Sequence, residues 1–547
     1  MSRHRSLIPA LLLIVAVVPP GHAQTIGAGG VTNASTSDYI LNGNVTLSAN
    51  QTWNAQNGKI LEFGTINGNG KALTVTGAYN TTLSGVLSNL TYTNGLTKTG
   101  SGTLTLAGNN TFAGTVNVQN GTLLLAHNNA LGGSAYGNTV QSGATLALSG
   151  GINVTQGSVN LGGAGSGATS GALVNVSGHN TFNSTLNLTA DSVFLSQAGT
   201  LSLTQAISQG NYDLTLDGPG NFTVSGAISA NSGGTLTLGA DGTTTISGNV
   251  NVSGGVVIDN RGTTNIASSL NLGSGSLTIA GDSTAHLTGS QVNASGGIVI
   301  SDNANASITN SLNLGGANIS LSSSGVIALS GAQINVGNIA VSGTGSSTFS
   351  TQINASSFTQ TGSGTTTFSG TGNNYFGSVS LQGGTVIANQ SGGAAFYTNN
   401  LTVDNVELKF ESSNQVPTWT SVTLEDNVTL YLNGTTQNFD QLVITGNSII
   451  DFGNGNGSLN VGSLVIDPLA QLTILNWSAE NTDVFNAHVD PAASQPNIVF
   501  GSGSSGSWDP YSGNITPGSP VPEPAAYGFL LMSASLLGLY TRRPRRG

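Results

Sequence analysis

The chain repeats itself, and the repeat is what most restricts its fold. At an offset of 42 residues, Ser253-Gly254-Gly255-Val256-Val257-Ile258 falls on Ser295-Gly296-Gly297-Ile298-Val299-Ile300, and Ser269-Leu270-Asn271-Leu272-Gly273 falls on Ser311-Leu312-Asn313-Leu314-Gly315. Leu277, Ile279, Leu287 and Val292 fall on Ile319, Leu321, Leu329 and Ile334, apolar for apolar. Such a unit cannot bury its own apolar face and has to stack on its copies. Within it, apolar residues lie two apart, as in Leu270/Leu272 and Leu277/Ile279, with Asn or Thr between them. That is the period of a strand, not of a helix. Gly, Ser and Asn separate these short runs and supply turns where positive φ costs little. A 42-residue unit holding several strands of about five residues divides into two coils of about 21. Coils stacked at about 4.8 Å bring equivalent apolar side chains into one interior. The expected fold is all-β, an elongated parallel β-helix or solenoid.

Composition agrees. Charged residues make up 6% of the 547 residues, and there are 79 glycines. Disorder goes with high net charge and few β-branched residues, whereas Val, Ile, Leu and Thr recur throughout this chain. Between the terminal segments only Lys59, Lys71, Lys98, Arg261 and Lys409 are basic, against a net charge of −11, which excludes nucleic acid as a partner. There is no cysteine, so neither disulfides nor thiolate metal sites can form.

A second repeat supports the coil reading. Leu96-Thr97-Lys98-Thr99-Gly100-Ser101-Gly102-Thr103-Leu104-Thr105-Leu106 leads through Asn109-Asn110-Thr111-Phe112 and Gly114 to Val116, Val118, Gly121 and Thr122. The same order returns from Phe358-Thr359-Gln360-Thr361-Gly362-Ser363-Gly364 through Asn373-Asn374-Tyr375-Phe376-Gly377 to Val379, Leu381, Gly384 and Thr385, without the Leu and Lys at its start. Each copy reads as a Gly-marked turn, a strand, an Asn-rich turn with an aromatic lid, and two more strands. The pattern resembles the autotransporter-associated β-strand repeat, and the resemblance implies a right-handed β-helix of passenger type.

Both ends read as processing signals. Arg3, His4 and Arg5 precede the apolar run Leu7 to Val18, and Gly21-His22-Ala23 offers a small-x-small cleavage site before Gln24. This is the pattern of a signal peptide over 1–23. At the other end Pro522-Glu523-Pro524 is followed by the apolar stretch Ala525 to Tyr540 and by Arg542, Arg543, Arg545 and Arg546. Sixteen apolar residues rising 1.5 Å each span roughly 24 Å, enough for one short C-terminal transmembrane helix whose arginines stay on the cytoplasmic side. The prolines keep the preceding segment extended. These residues resemble the PEP-CTERM sorting signal of Gram-negative bacteria. That resemblance implies recognition by an exosortase-type membrane protease, removal of the tail, and delivery of the body to the outer surface or exopolysaccharide matrix. A plain C-terminal anchor is the other reading of the same residues.

The expected organisation is a repeat β-helix body over 24–395, final β coils and a cap over 396–500, a Gly/Ser/Pro linker over 501–521, and the sorting signal over 522–547. Trp508-Asp509-Pro510 reads as a local turn. Candidate chemistry is sparse, and neither a catalytic residue, a metal site nor a cofactor is assigned. His127, His179, His286 and His488 lack partners at metal-ligand spacing, and His286 occupies the position that Ala328 holds one repeat later. Gly68-Asn69-Gly70-Lys71-Ala72 departs from a phosphate loop, since its upstream Gly is out of place and Ala72 cannot bind magnesium. Asp259-Asn260-Arg261 and the acids Asp404, Glu407, Glu411, Glu425 and Asp426 are what a glycan lyase or hydrolase would draw on. An Asx-rich turn and a solvated face explain them more simply, with calcium left open on the acidic face. An autotransporter with its own barrel would need many alternating segments after the passenger, in place of one apolar helix and arginines.

The expected function is that of a non-enzymatic, exported structural or adhesive protein. It would pass through the secretion machinery, be held transiently in the inner membrane, and be released to the cell surface or matrix, in contact with exopolysaccharide. A β-helix polysaccharide lyase or hydrolase is the alternative. The tail gives a direct test: Pro522→Ala with Pro524→Ala should let the helix extend upstream and make membrane-bound precursor accumulate. Mass spectrometry of mature surface protein should find no peptide from Leu536 to Arg546; finding one makes the segment a permanent anchor.

Overall fold

The computed structural model describes residues 24–133, 137–167, 171–479 and 482–518. The chain divides into two compact units, Met1–Gly337 and Asn338–Gly547. Both are parallel β-solenoids, and together the described residues make about 21 turns.

In the first unit a coil has three sides. The strands Val256–Asn260, Thr263–Ile266 and Leu270–Asn271 form one coil. The next begins where Val256 pairs with Leu277, and continues with Thr264 opposite Ala285 and Leu270 opposite Val292. One further coil pairs Leu277 with Ile298 and Val292 with Leu312. The 42-residue repeat is therefore two coils, as the sequence predicts. Each strand gives its backbone N–H and C=O groups to the coils above and below, and its side chains alternate between interior and solvent. Val256, Leu277, Ile298 and Ile319 form one continuous buried row. Each such side chain contributes roughly 1.5–3 kcal/mol by leaving water. Outside, asparagines bond to asparagines one coil away, Asn313 Nδ2 to Asn293 Oδ1 at 3.2 Å and Asn187 Nδ2 to Asn160 Oδ1 at 3.1 Å. Close stacking also explains Gly85, where a Cβ would lie 1.3 Å from the carbonyl oxygen of Gly64 in the preceding coil.

The second unit fills the same kind of interior with larger side chains. Phe368 stacks on Phe349 at 5.5 Å and meets Phe358 and Phe396 edge-on at 5.1 and 5.3 Å. At one corner, buried amides carry the coil-to-coil bonding where strands are interrupted. The Oε1 of Gln415 accepts the N–H of Gln390 at 2.8 Å, and the Oε1 of Gln437 accepts the N–H of Gln415 at 2.8 Å. Gln390 Nε2 reaches Asn374 Oδ1 at 3.3 Å. These bonds satisfy backbone groups that would otherwise be buried unpaired.

The C-terminal stretch departs from expectation. Within the expected linker over 501–521, the described strands Gly506–Trp508 and Ile515–Pro517 pair antiparallel. Ile515 is fully buried, and Trp508 Nε1 donates to the carbonyl of Ala487 at 2.9 Å. The hairpin covers an open strand edge, which is why a Gly/Ser-rich segment is ordered there. Asp509-Pro510 does lie in its turn, where a hydroxyl hydrogen bond from Ser512 and the N–H of Tyr511 hold the Asp509 carboxyl below its ordinary range. The expected boundary at 395/396 falls inside the second unit, beside the buried Phe396, and the compact units divide at Gly337/Asn338. Among the described residues no helix is long and apolar enough to cross a membrane. The expected transmembrane helix, the sorting residues Pro522, Glu523, Pro524, Arg542, Arg543, Arg545 and Arg546, and Ala23 lie outside the described residues. Gln24 begins the first described strand, Gln24–Ile26, which pairs with Val45–Leu47.

Leu312 is buried between Val292 and Ile334 of neighbouring coils, while Asn313 is exposed. Leu312→Asp should therefore cost ~4 kcal/mol or more and Asn313→Asp less than about 1 kcal/mol. Urea denaturation of the two variants checks this; equal midpoints would invalidate the inward and outward assignment.

Candidate functional site

Most large apolar side chains on this surface stand singly, as is ordinary. Three aromatics in the second unit do not. Tyr375, Tyr397 and Trp419 are spaced by 22 residues, one coil apart. Tyr375 and Tyr397 are parallel bridge partners, with Tyr397 N–H on the carbonyl of Asn374 at 2.9 Å and Phe376 N–H on that of Tyr397 at 3.0 Å. The turn from Pro417 to Thr420 sets Trp419 one coil on, pinned by the Thr420 hydroxyl donating to the carbonyl of Thr398 at 2.6 Å. Ring centroids are 4.7 Å apart for the tyrosines and 5.1 Å for Tyr397 and Trp419, at 57° and 79° between planes. The rings are tilted, so they make a ridge and not a flat plane. Tyr375 is 41% and Trp419 51% exposed.

The ridge separates two cavities. One, of about 430 Å³, has Tyr397, Trp419, Pro417, Ser413 and Asn414 in its wall. The other, of about 310 Å³, has Tyr375, Tyr397, Trp419, Asn354 and Asn399. Neither lining contains a charged side chain. The exposed amides of Asn354 and Asn399 and the hydroxyl of Thr418 make no hydrogen bond to another described residue. The buried Asn374–Gln390–Gln415–Gln437 series lies in the same stretch of chain and braces the coils from inside. Reading the sequence for chemistry overlooks this ridge, because no short motif contains it. Its one signal is the recurrence of an aromatic at coil spacing.

The residues singled out from sequence are dispersed. Arg261 lies 3.8 Å from Asp241 in an exposed ion pair, and Asn260 turns inward, its Nδ2 donating to Leu238 O and Thr264 Oγ1. That is an Asx-anchored turn with a solvated ion pair worth little. Glu407 pairs with Lys409 at 2.9 Å, Glu411 accepts from Asn433 at 3.0 Å, and Asp426 accepts the N–H of Asn447 at 3.1 Å. Each of these three acids makes a local bond. Among the described residues, no group of three or more His, Asp or Glu is placed to hold a metal ion. His286 is exposed opposite Ser307, which in turn pairs with Ala328, as the repeat predicts. His179 contacts Thr200 Oγ1 at 3.1 Å, and His127 Nδ1 accepts the N–H of Asn129 at 3.0 Å.

Two titratable groups are buried in the first unit. Lys98 sits between Val75 and Val118, and burial pushes its ammonium down to about 8. It donates to Gly100 O and, at 3.2 Å, to Asn120 O, under the turn at Gly121, whose φ is +71°. In the second copy of the shorter repeat Gln360 does the same, its Nε2 donating to Gly383 O at 2.7 Å beneath Gly384, also at φ +71°. A Cβ at either glycine would lie 2.3 Å from a carbonyl oxygen of the preceding coil. The loss of Lys from the second copy is thus a replacement of one buried donor by another. Asn110 and Asn374 likewise match, accepting the N–H of Leu87 at 2.9 Å and of Ile353 at 3.0 Å. The aromatic lids Phe112 and Phe376 are buried.

These two copies are also what comparison finds. A family model described as the passenger-associated-transport-repeat matches residues 96–125 and 358–388. No curated protein and no solved structure matches the chain. The repeats and the β-solenoid together fit a secreted passenger of autotransporter type.

The second buried group, Glu62, stacks between Leu41 and Leu83 with no hydrogen-bond partner on either carboxyl oxygen among the described residues, and desolvation pushes its carboxyl up from 4.5 to about 7. Below about pH 4.5 it is protonated folded or unfolded. Between there and about 7 the folded protein keeps a proton that the unfolded chain has lost, so stability falls as pH rises through that interval. Glu62→Gln should remove this fall and stabilise the protein at pH 8 by up to roughly 3 kcal/mol. Thermal melts of both proteins at pH 4 and pH 8 check it; parallel pH profiles would place Glu62 in contact with water.

Proposed function

We propose that the protein is an exported, non-catalytic β-solenoid displayed at the cell surface or in the surrounding matrix, acting as a structural or adhesive element in contact with exopolysaccharide. The observation that carries this reading is the pair of passenger-type repeats built into the coils themselves, with the same buried donor and the same glycine turn in each. The faces of the coils supply the means. They present rows of Asn, Ser and Thr in register, and each exposed row offers amide and hydroxyl groups at coil spacing, suited to many weak contacts whose effects multiply. The tail would supply the route: the Pro522-Glu523-Pro524 motif, the apolar stretch and the arginines support recognition by an exosortase-type protease after a transient inner-membrane stage.

Mature protein recovered from the cell surface is the material for the test. Incubated with exopolysaccharide from the same cells, it should be retained on the polymer and release neither reducing ends nor unsaturated sugars. Release of either would make the protein a glycan-cleaving enzyme. Failure of an external protease to remove it from intact cells would overturn surface display.

A further inference from the structure

Resting on the glycan-associated reading above, we propose that the Tyr375–Tyr397–Trp419 ridge with its two flanking cavities is the specific contact site, and that its ligand is an uncharged polysaccharide chain lying across successive coils.

The chemistry of the lining selects the ligand. A pyranose ring offers an apolar face of C–H groups and an equatorial belt of hydroxyls. The first packs on aromatic rings, which combine a large apolar area with low conformational cost on binding. The second needs donors and acceptors beside them, and the amides of Asn354 and Asn399 and the Thr418 hydroxyl stand in the walls uncommitted to described neighbours. Rings spaced 4.7 and 5.1 Å apart repeat on the scale of one sugar unit. The absence of any charged side chain from both linings leaves a phosphate or uronate without a counter-ion. An anionic glycan or a nucleic acid is therefore a poor occupant.

The ridge is not demanded by the scaffold. In the first copy of the shorter repeat the position of Tyr375 is Thr111, and that copy is equally buried at its lid residue Phe112. Tyr397 and Trp419 lie in coils beyond the second copy, so three consecutive coils carry a partly exposed aromatic that the repeat does not require. The corner is also stiffened by the buried amide series, so the rings are held in place before a ligand arrives, which lowers the cost of binding.

Isothermal titration of the mature protein with neutral β-glucan and α-glucan hexasaccharides, and with hexagalacturonate, tests the assignment. At least one neutral oligomer should bind saturably and the acidic one at least tenfold more weakly. Trp419→Ala and Tyr397→Ala should each weaken binding tenfold or more, Trp419→Phe should recover part of it, and Tyr92→Ala, an exposed aromatic of the first unit, should leave it unchanged. Since Trp53 is buried and Trp477 and Trp508 are half-buried, the neutral ligand should also shield the wild-type protein's exposed Trp419 from acrylamide quenching. Equal thermal melts of wild type and variants show that the fold is kept. Wild-type affinity in both Ala variants overturns the ridge as the site while leaving polysaccharide association standing. Retention on matrix polysaccharide without binding to any neutral oligomer also overturns the ridge alone. Loss of retention on every glycan overturns the ridge and the reading beneath it. A wild-type dimer that dissociates on Trp419→Ala, with no effect on sugar, overturns the proposal in favour of self-association.

Discussion

Every other feature of this protein depends on the bonding of one coil to the next. A parallel strand pair is satisfied only when its neighbour lies at about 4.8 Å along the whole ladder, so each coil must return to the register of the last. Rows such as Val256–Leu277–Ile298–Ile319 follow, because equivalent side chains necessarily face each other across that spacing. Long-range pairing of this kind has to be repeated at every turn of the chain. That repetition is why a composition so poor in charge and so rich in glycine can still define a fold.

The same spacing makes the corners demanding. Where strands stop, backbone groups face the next corner at close range, and three solutions recur among the described residues. Glycine lets the chains approach, as at Gly85. Left-handed turns at Gly121 and Gly384 expose carbonyls that an interior side chain must meet. Buried amides, Asn374, Gln390, Gln415 and Gln437, bond backbone N–H groups directly. Lys98 and Gln360 differ in charge but supply the same hydrogen to the same place, so the corner is met by a donor in both copies, and burial lowers the pKa of the one that is a cation.

A scaffold of this type leaves its outer positions free, because outward side chains carry none of the interior packing. Small polar residues fill most of them, and several exposed acids bond to local partners, as Glu407 does to Lys409 and Glu411 to Asn433. Against that background the aromatic ridge is a departure: Tyr375, Tyr397 and Trp419 bring three partly exposed rings together on neighbouring coils. Recognition by such a surface comes from register, since one residue per coil becomes a row without any local motif.

The sequence by itself determined the parallel solenoid, the coil length near 21 residues, and which of each pair of neighbours faces inward, as Leu312 and Asn313 do. It could do so because period-two alternation and an internal repeat are written directly in residue order. The turn at Asp509-Pro510 was legible for the same local reason. Tertiary structure alone decided the rest. The hairpin over 506–517 looks like linker in composition, and it is ordered because an uncovered coil edge lies beside it. Glu62 is set apart by no motif, and only its strand register places it between Leu41 and Leu83. The ridge is assembled from residues 22 apart, and their spacing acquires meaning only when the length of each intervening coil is known. Distances along a coil follow from the chain, whereas distances between coils follow from how every turn closes, and the latter place the chemistry on this surface.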